Sequence, residues 1–294
     1  GRTRAPPPGY PGPPEGPVKA LTPLLLTLLG CPGPKVGAGP APEPLADGAV
    51  NDQPLGDDLP AGLSGLTWLP EGRMLAVSER GQSVVLLDPT RRRPSEVRPV
   101  VGVPEGVDLE AVAALGGERV AFGTESQDPE RRTDLVLLGT LGPDGVAIEQ
   151  AMELAWAPFG LEPGMNSGIE AVCSAGGMLV AVGEQVGRVG GRRYAPVWLR
   201  SLSGGPVRTA RLLLSSDEGK VSGIACRTGA DRELELTGVE RQFSTIRLVR
   251  WTLPMDGAEP VLPSSVKDLG ASLGASPPNP EGLALDPAGG VWLV

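Results

Sequence analysis

The sequence predicts an all-β protein of the β-propeller class, and three observations carry that prediction. Its 294 residues include 43 Gly and 33 Pro, a content that suits many short strands joined by tight turns. No segment after residue 45 carries a long apolar stripe of helical period. A strand pattern instead recurs five times, each copy leading through a turn into a second apolar run.

The copies begin at Ser64-Gly65, Leu109-Glu110, Ile169-Glu170, Ser222-Gly223 and Pro280-Glu281, their second residues 45, 60, 53 and 58 apart. Second runs follow at 74–80, 119–126, 178–185, 234–241 and 291–294. Further runs at 84–88, 134–140, 197–202 and 245–253 fill the intervals. Three to four strands in each interval of 45–60 residues is the period of a propeller blade. Six blades are expected, with five as the alternative. The last copy, 279–294, holds half a blade and is read as a C-terminal truncation, and the segment 46–62 is available as a closing strand.

Residues 1–30 are read as a disordered, Pro/Gly-rich start followed by a signal peptide, whose apolar stretch Ala20–Leu29 is too short to span a bilayer as a mature helix. Leu28-Leu29-Gly30-Cys31 resembles the bacterial lipobox. That resemblance implies lipidation at Cys31 and a tether over 31–58, and the repeats assign 59–294 to the propeller domain. The expected location is the bacterial cell envelope, as a periplasmic or surface lipoprotein, or otherwise secretion. Membrane contact would come through the lipid anchor only, and a monomer is expected.

A net charge of −9 and a pI near 4.8 leave no basic footprint for nucleic acid. The sequence contains no His, which removes Ser-His-Asp and Cys-His nucleophiles and His-ligated zinc. Gly270-Ala271-Ser272-Leu273-Gly274 matches G-x-S-x-G, but no imidazole exists to activate its serine. Three Cys are too few for a disulfide framework. Cys173 and Cys226 occupy the same position in consecutive first strands and are expected as buried thiols, with an inter-blade disulfide as the alternative. Trp68, Trp198, Trp251 and Trp292 lie in strands and are expected to pack between blades.

Chemistry therefore falls to carboxylates, Arg, Lys, Tyr and hydroxyls. In an antiparallel hairpin the first residue of strand one lies beside the last residue of strand two. Acids stand at both places: Glu110 with Glu125, and Glu170 with Glu184. Glu79, Glu240 and Glu281 each supply one member in the remaining copies. First strands line a propeller's channel, so these seven side chains are expected around one mouth, together with Asp108, Asn166 and Asn279. Like charges at low dielectric raise one another's pKa and call for a compensating cation. An all-oxygen set without His or thiolate suits Ca2+, and Mg2+ or Mn2+ less well. Glu110, Glu125, Glu170, Glu184 and Glu281 are the expected metal ligands. Arginine is the other available compensator: Arg80 and Arg241 follow Glu79 and Glu240, and the adjoining loops add Arg131, Arg132, Arg188, Arg192 and Arg193. The alternative is that these acids cap strand ends and pair with neighbouring Arg.

At these residues the chain resembles the esterase-like-activity-of-phytase family, the phytase-like domains. The points of contact are Leu63-Ser64-Gly65-Leu66 with Ala76–Arg80, Asp108-Leu109-Glu110, Asn166–Ala171, Val239-Glu240-Arg241 and Asn279–Ala284, in order over residues 60–294. The sequence departs at Gly65 and Gly223, where other copies carry Glu, and at Glu79, where Asp is more usual. The resemblance implies a propeller that hydrolyses a small phosphate or carboxylic ester. With the acids, it points to a Ca2+-dependent hydrolase in which Arg80 and Arg241 orient the anion. A non-catalytic envelope scaffold that binds a protein, and a lactonase-like propeller, are the alternatives.

Overall fold

A computed structural model describes residues 43–44, 59–90, 95–243, 245–257, 260–273 and 279–294. Cys31 and the signal and tether expectations lie outside these, apart from the two-residue strand β1 (Glu43–Pro44).

The first blade is β2 (Leu63–Trp68), β3 (Met74–Ser78), β4 (Ser83–Leu87) and β5 (Glu96–Val101). The second is β6 (Val107–Gly116), β7 (Arg119–Ser126), β8 (Thr133–Gly142) and β9 (Gly145–Ala155). The third comprises β10 (Ser167–Ala175), β11 (Met178–Gly183), β13 (Arg192–Ser201) and β14 (Arg208–Leu213), with the short β12 (Gly187–Val189) at its rim. The fourth is β15 (Lys220–Thr228), β16 (Glu233–Gln242), β17 (Thr245–Pro254) and β18 (Pro263–Asp268), whose edge β1 joins in parallel. The fifth holds β19 (Leu283–Leu285) and β20 (Val291–Leu293). Within blades all consecutive pairs are antiparallel hairpins.

Among the described residues five inner strands close the ring, the alternative to the six blades preferred from sequence. Ser222 Oγ donates to the carbonyl of Pro280 at 2.9 Å, which ties the fourth blade to the fifth. A side chain on Gly282 would collide with Ser64 O and Leu66 N, which places β19 against β2. The tight approach explains two glycines that look like missing acids. A Cβ at Gly65 would strike the backbone of Ala111 and Val112, and one at Gly223 would press on Glu281 and Gly282. Glycine at these places lets neighbouring inner strands come together in a narrow ring.

Apolar side chains fill the wedges between blades, as alternating strands buried on both faces require. Trp156, Trp198 and Trp251 are fully buried. Trp156 and Trp198 meet edge to face at 4.9 Å, and Trp251 Nε1 reaches the carbonyl of Leu213 in the preceding blade at 3.0 Å. Trp68 packs on Trp292 at 6.1 Å and so joins the first blade to the fifth. The last hairpin turns as its sequence predicts: Asp286 Oδ1 accepts from the amides of Ala288 and Gly290. The tryptophan expectation holds for all four residues.

The two inner cysteines form a disulfide, which overturns the expectation of free thiols. Cys173 on β10 and Cys226 on β15 sit with Cα atoms 5.7 Å apart, inside the bridging range that adjacent inner strands reach in a narrow ring.

Candidate functional site

Four of the five inner strands, β2, β6, β10 and β15, carry a β-bulge near their start, and in the second and third blades the bulge aims an acid. In the second blade Leu109 pairs with Thr124 and Ala111 with Gly123, leaving Glu110 as the extra residue. In the third, Ile169 pairs with Gly183 and Ala171 with Val182, leaving Glu170. In the fourth, Val221 pairs with Glu240 and Gly223 with Val239, so Ser222 takes the bulge. Ser222, not Gly223, is therefore the counterpart of Glu110 and Glu170. The same register makes Arg241 the counterpart of Glu125, because Asp108 faces Glu125 where Lys220 faces Arg241.

That register corrects the place of Glu240. One residue along a strand reverses the face, and Glu240 turns away from the mouth into full burial. It accepts from the amide of Ser215 at 2.7 Å and from the hydroxyl of Ser216. Glu79, Glu110, Glu125, Glu170, Glu184 and Glu281 do share one electrostatic neighbourhood.

Within it the acids divide into two corners. Glu125, Glu170 and Glu184 each bring a carboxylate oxygen into a cluster whose members lie within 4.8 Å of one another. Lys220 enters the same corner, paired with Glu184 and 3.7 Å from Glu170. Nothing in the sequence pattern singled this lysine out. Its signal is register, since it stands where the second blade has Asp108. The other corner is closed by Arg241, which donates to Glu281 and to Asn279 Oδ1 at 2.6 Å each, while Asn279 Nδ2 donates to Glu281 at 2.7 Å. Both terminal nitrogens of Arg241 are thus committed to the protein, which argues against its expected role of holding a substrate anion. Glu281 is likewise withdrawn from the expected ligand set. Arg80 is exposed beside Glu79, whose carboxyl pKa is raised by burial first and by Glu281 second, with Arg80 opposing.

Burial and mutual repulsion hold protons on this ring. Desolvation, with Glu170 and Glu125 next, pushes Glu110 up to about 9. Desolvation and then Glu184 push Glu125 up to about 7, against Lys220 and Arg131. Glu170 is raised by its burial first and by Glu184 second, with Lys220 and Arg241 opposing. A cation that joins such groups favours their carboxylate form.

The corner's donors fit a hard divalent cation. All are oxygens, and oxygens facing each other across a Ca2+ at ~2.4 Å bonds lie about as far apart as this cluster allows. Glu184 Oε2 is buried without a hydrogen-bond partner among the described residues. Lys220 is the feature that competes, since its ammonium already supplies one positive charge.

Beside the corner lies an open cleft of ≈ 580 Å³ between the third and fourth blades, which Glu184, Lys220, Asn166, Arg188 and Arg193 help to line. Asn166 is exposed there in the left-handed conformation at φ 50°, where Asn is tolerated. Two expected loop arginines serve elsewhere. Arg131 is buried, binding Asp134 at 2.7 Å and the carbonyls of Asp128, Gly164 and Ser167. Arg132 is exposed near Glu162 at 3.4 Å.

Comparison with known proteins bears on the fold. No family model matches the chain, and no curated protein matches it either. Among solved structures, glutaminyl cyclase of Myxococcus xanthus superposes with a TM-score of 0.50 at 13% identity, covering 79% of this chain and 84% of the cyclase. Aldose sugar dehydrogenase of Streptomyces coelicolor in its PQQ-bound form gives 0.44 at 15% identity over 79% and 87%. The calcium-binding protein regucalcin of Agrobacterium tumefaciens gives 0.40 at 12% over 76% and 78%. At these identities the likeness is one of architecture, and it agrees with the β-propeller read from the repeats.

Proposed function

We propose that this protein is an extracytoplasmic, phytase-like propeller that holds Ca2+ in the Glu125–Glu170–Glu184 corner and hydrolyses a small phosphate or carboxylic ester in the adjoining cleft. The observation that carries the reading is the convergence of three carboxylates from the second and third blades within 4.8 Å. The inter-blade disulfide supports the location, because such bonds persist in oxidising compartments. The same compartment suits a lipid anchor at Cys31.

A bound divalent cation would polarise the ester oxygen and lower the pKa of water. The chain's own groups do the rest. Arg188 and Arg193 offer positive charge to the ester's anion from the cleft wall, a role the sequence pattern gave to Arg80 and Arg241. Purified protein assayed on 4-nitrophenyl phosphate should turn over with Ca2+ and fall silent in EDTA, and Glu170→Gln should remove the Ca2+ response. Equal rates with and without the cation would overturn the proposal.

A second reading is favoured by Lys220, which already offers the corner a counter-charge. On that reading the propeller is a metal-free envelope scaffold for a protein partner. A partner captured equally by the wild type and by Glu110→Gln/Glu170→Gln would select it.

A further inference from the structure

We infer that the cleft between the third and fourth blades selects an ester joining one anionic group to an apolar group, rather than a polyanion; this deepens the function proposed above and takes the ester chemistry from it. Among the described residues only five large hydrophobic side chains are exposed, and two of them, Met165 at 63% and Phe243 at 88%, line this one cleft. Phe243 follows the end of β16 with φ 46°, in the left-handed region. A bulky residue there costs of order 1 kcal/mol against the Gly or Asn that such a position favours. An aromatic side chain held out to solvent at that cost is explained by a ligand that covers it.

The charge of the cleft fixes the other half of the ligand. Arg188, Arg193 and Lys220 stand against Glu184, Asp217 and Glu218, so the lining nets to zero. Lys220 is already paired with Glu184, whereas among the described residues no ion pair ties Arg188 or Arg193 to Asp217 or Glu218 and only Arg188 Nη1 donates, to the Gly191 carbonyl at 3.2 Å, so the two guanidinium groups are the anion site. The whole chain carries −9, a field that repels a polyanion at long range. Two arginines inside a neutral wall match a single phosphate or carboxylate. The ≈ 580 Å³ volume leaves room for an aromatic or acyl group against Met165 and Phe243.

The test is calorimetric titration of the whole chain with 1-naphthyl phosphate, glycerol 2-phosphate and inositol hexakisphosphate, once in EDTA and once with Ca2+. The naphthyl ester should bind roughly tenfold tighter than glycerol 2-phosphate, the gain expected from covering one aromatic face. Phe243→Ala should erase that margin, and Phe243→Trp should keep it. Inositol hexakisphosphate should bind no tighter than glycerol 2-phosphate. A margin unchanged in Phe243→Ala, preferred binding of the hexakisphosphate, or no binding of any ester would overturn the inference. Hydrolysis lost on wild type while the naphthyl ester still binds would overturn the proposed function alone. Hydrolysis retained without dependence on Phe243 would overturn the inference alone.

Discussion

The second and fourth blades share one backbone plan and carry opposite charge on it. Asp108 faces Glu125 across the second blade's inner pair, and Lys220 faces Arg241 at the same places in the fourth. The bulge holds Glu110 in one and Ser222 in the other. The fourth blade's cations reach outward to both neighbours, Lys220 to Glu170 and Glu184, Arg241 to Glu281 and Asn279. The fold thus fixes where charge stands at the mouth, while the choice between Glu and Lys or Arg decides whether a corner awaits a cation or is closed by the chain itself.

Breaking the tie between the third and fourth blades should have the largest effect on this contrast. The disulfide closes a separation of 53 residues, for which loop entropy predicts about 4 kcal/mol. Cys173→Ser/Cys226→Ser should lose about that much in urea unfolding of the non-reduced protein, and loosen Lys220 from the acidic corner.

The second blade's proton load comes next. Glu110 is raised from 4.5 to about 9 and Glu125 to about 7, so the folded state binds protons that the unfolded chain releases. The stability these carboxyls contribute is full below pH 4.5 and is lost as pH climbs through about 7 and then 9. In EDTA the folded state should weaken by roughly 3 kcal/mol between pH 5 and 9, less than the full shift because buried sites relax and admit water. Glu110→Gln should flatten much of that slope.

Removing each cation of the fourth blade separates its two corners. Arg241→Met strands Glu281 and Asn279, whose pairing is largely but not wholly shielded from water, so a loss of about 2 kcal/mol is expected, below that of a fully buried pair. Ca2+ should not repair it. Lys220→Met should lower stability less, by about 1 kcal/mol in EDTA, and raise the apparent Ca2+ affinity roughly tenfold, because the ion no longer displaces an ammonium. An Arg241→Met protein rescued by Ca2+ would show that both corners bind the cation.

Much of the fold was legible because strand periodicity and turn chemistry are local. The five inner strands, the Asp286 turn and the inter-blade tryptophans all follow from such patterns. The blade number was not local. It depends on how closely inner strands approach, and its sequence trace was the set Gly65, Gly223 and Gly282, two of which read as absent acids. The site was legible in residue type and less so in register. Bulges insert one residue and reverse the face that follows, which moved Glu240 out of the mouth and put Arg241 opposite Lys220. Lys220 had no motif to reveal it, since its role exists only where the third and fourth blades meet.

The central claim is that the Glu125–Glu170–Glu184 corner takes a divalent cation and the Arg241 corner does not. Anomalous diffraction from a crystal of the whole chain soaked in Mn2+, a scattering substitute for Ca2+, tests it most directly. The account predicts one anomalous peak among the three carboxylates, with the Lys220 ammonium displaced from Glu184. A peak at Glu281, or an undisturbed Lys220–Glu184 pair with no peak beside it, would contradict it.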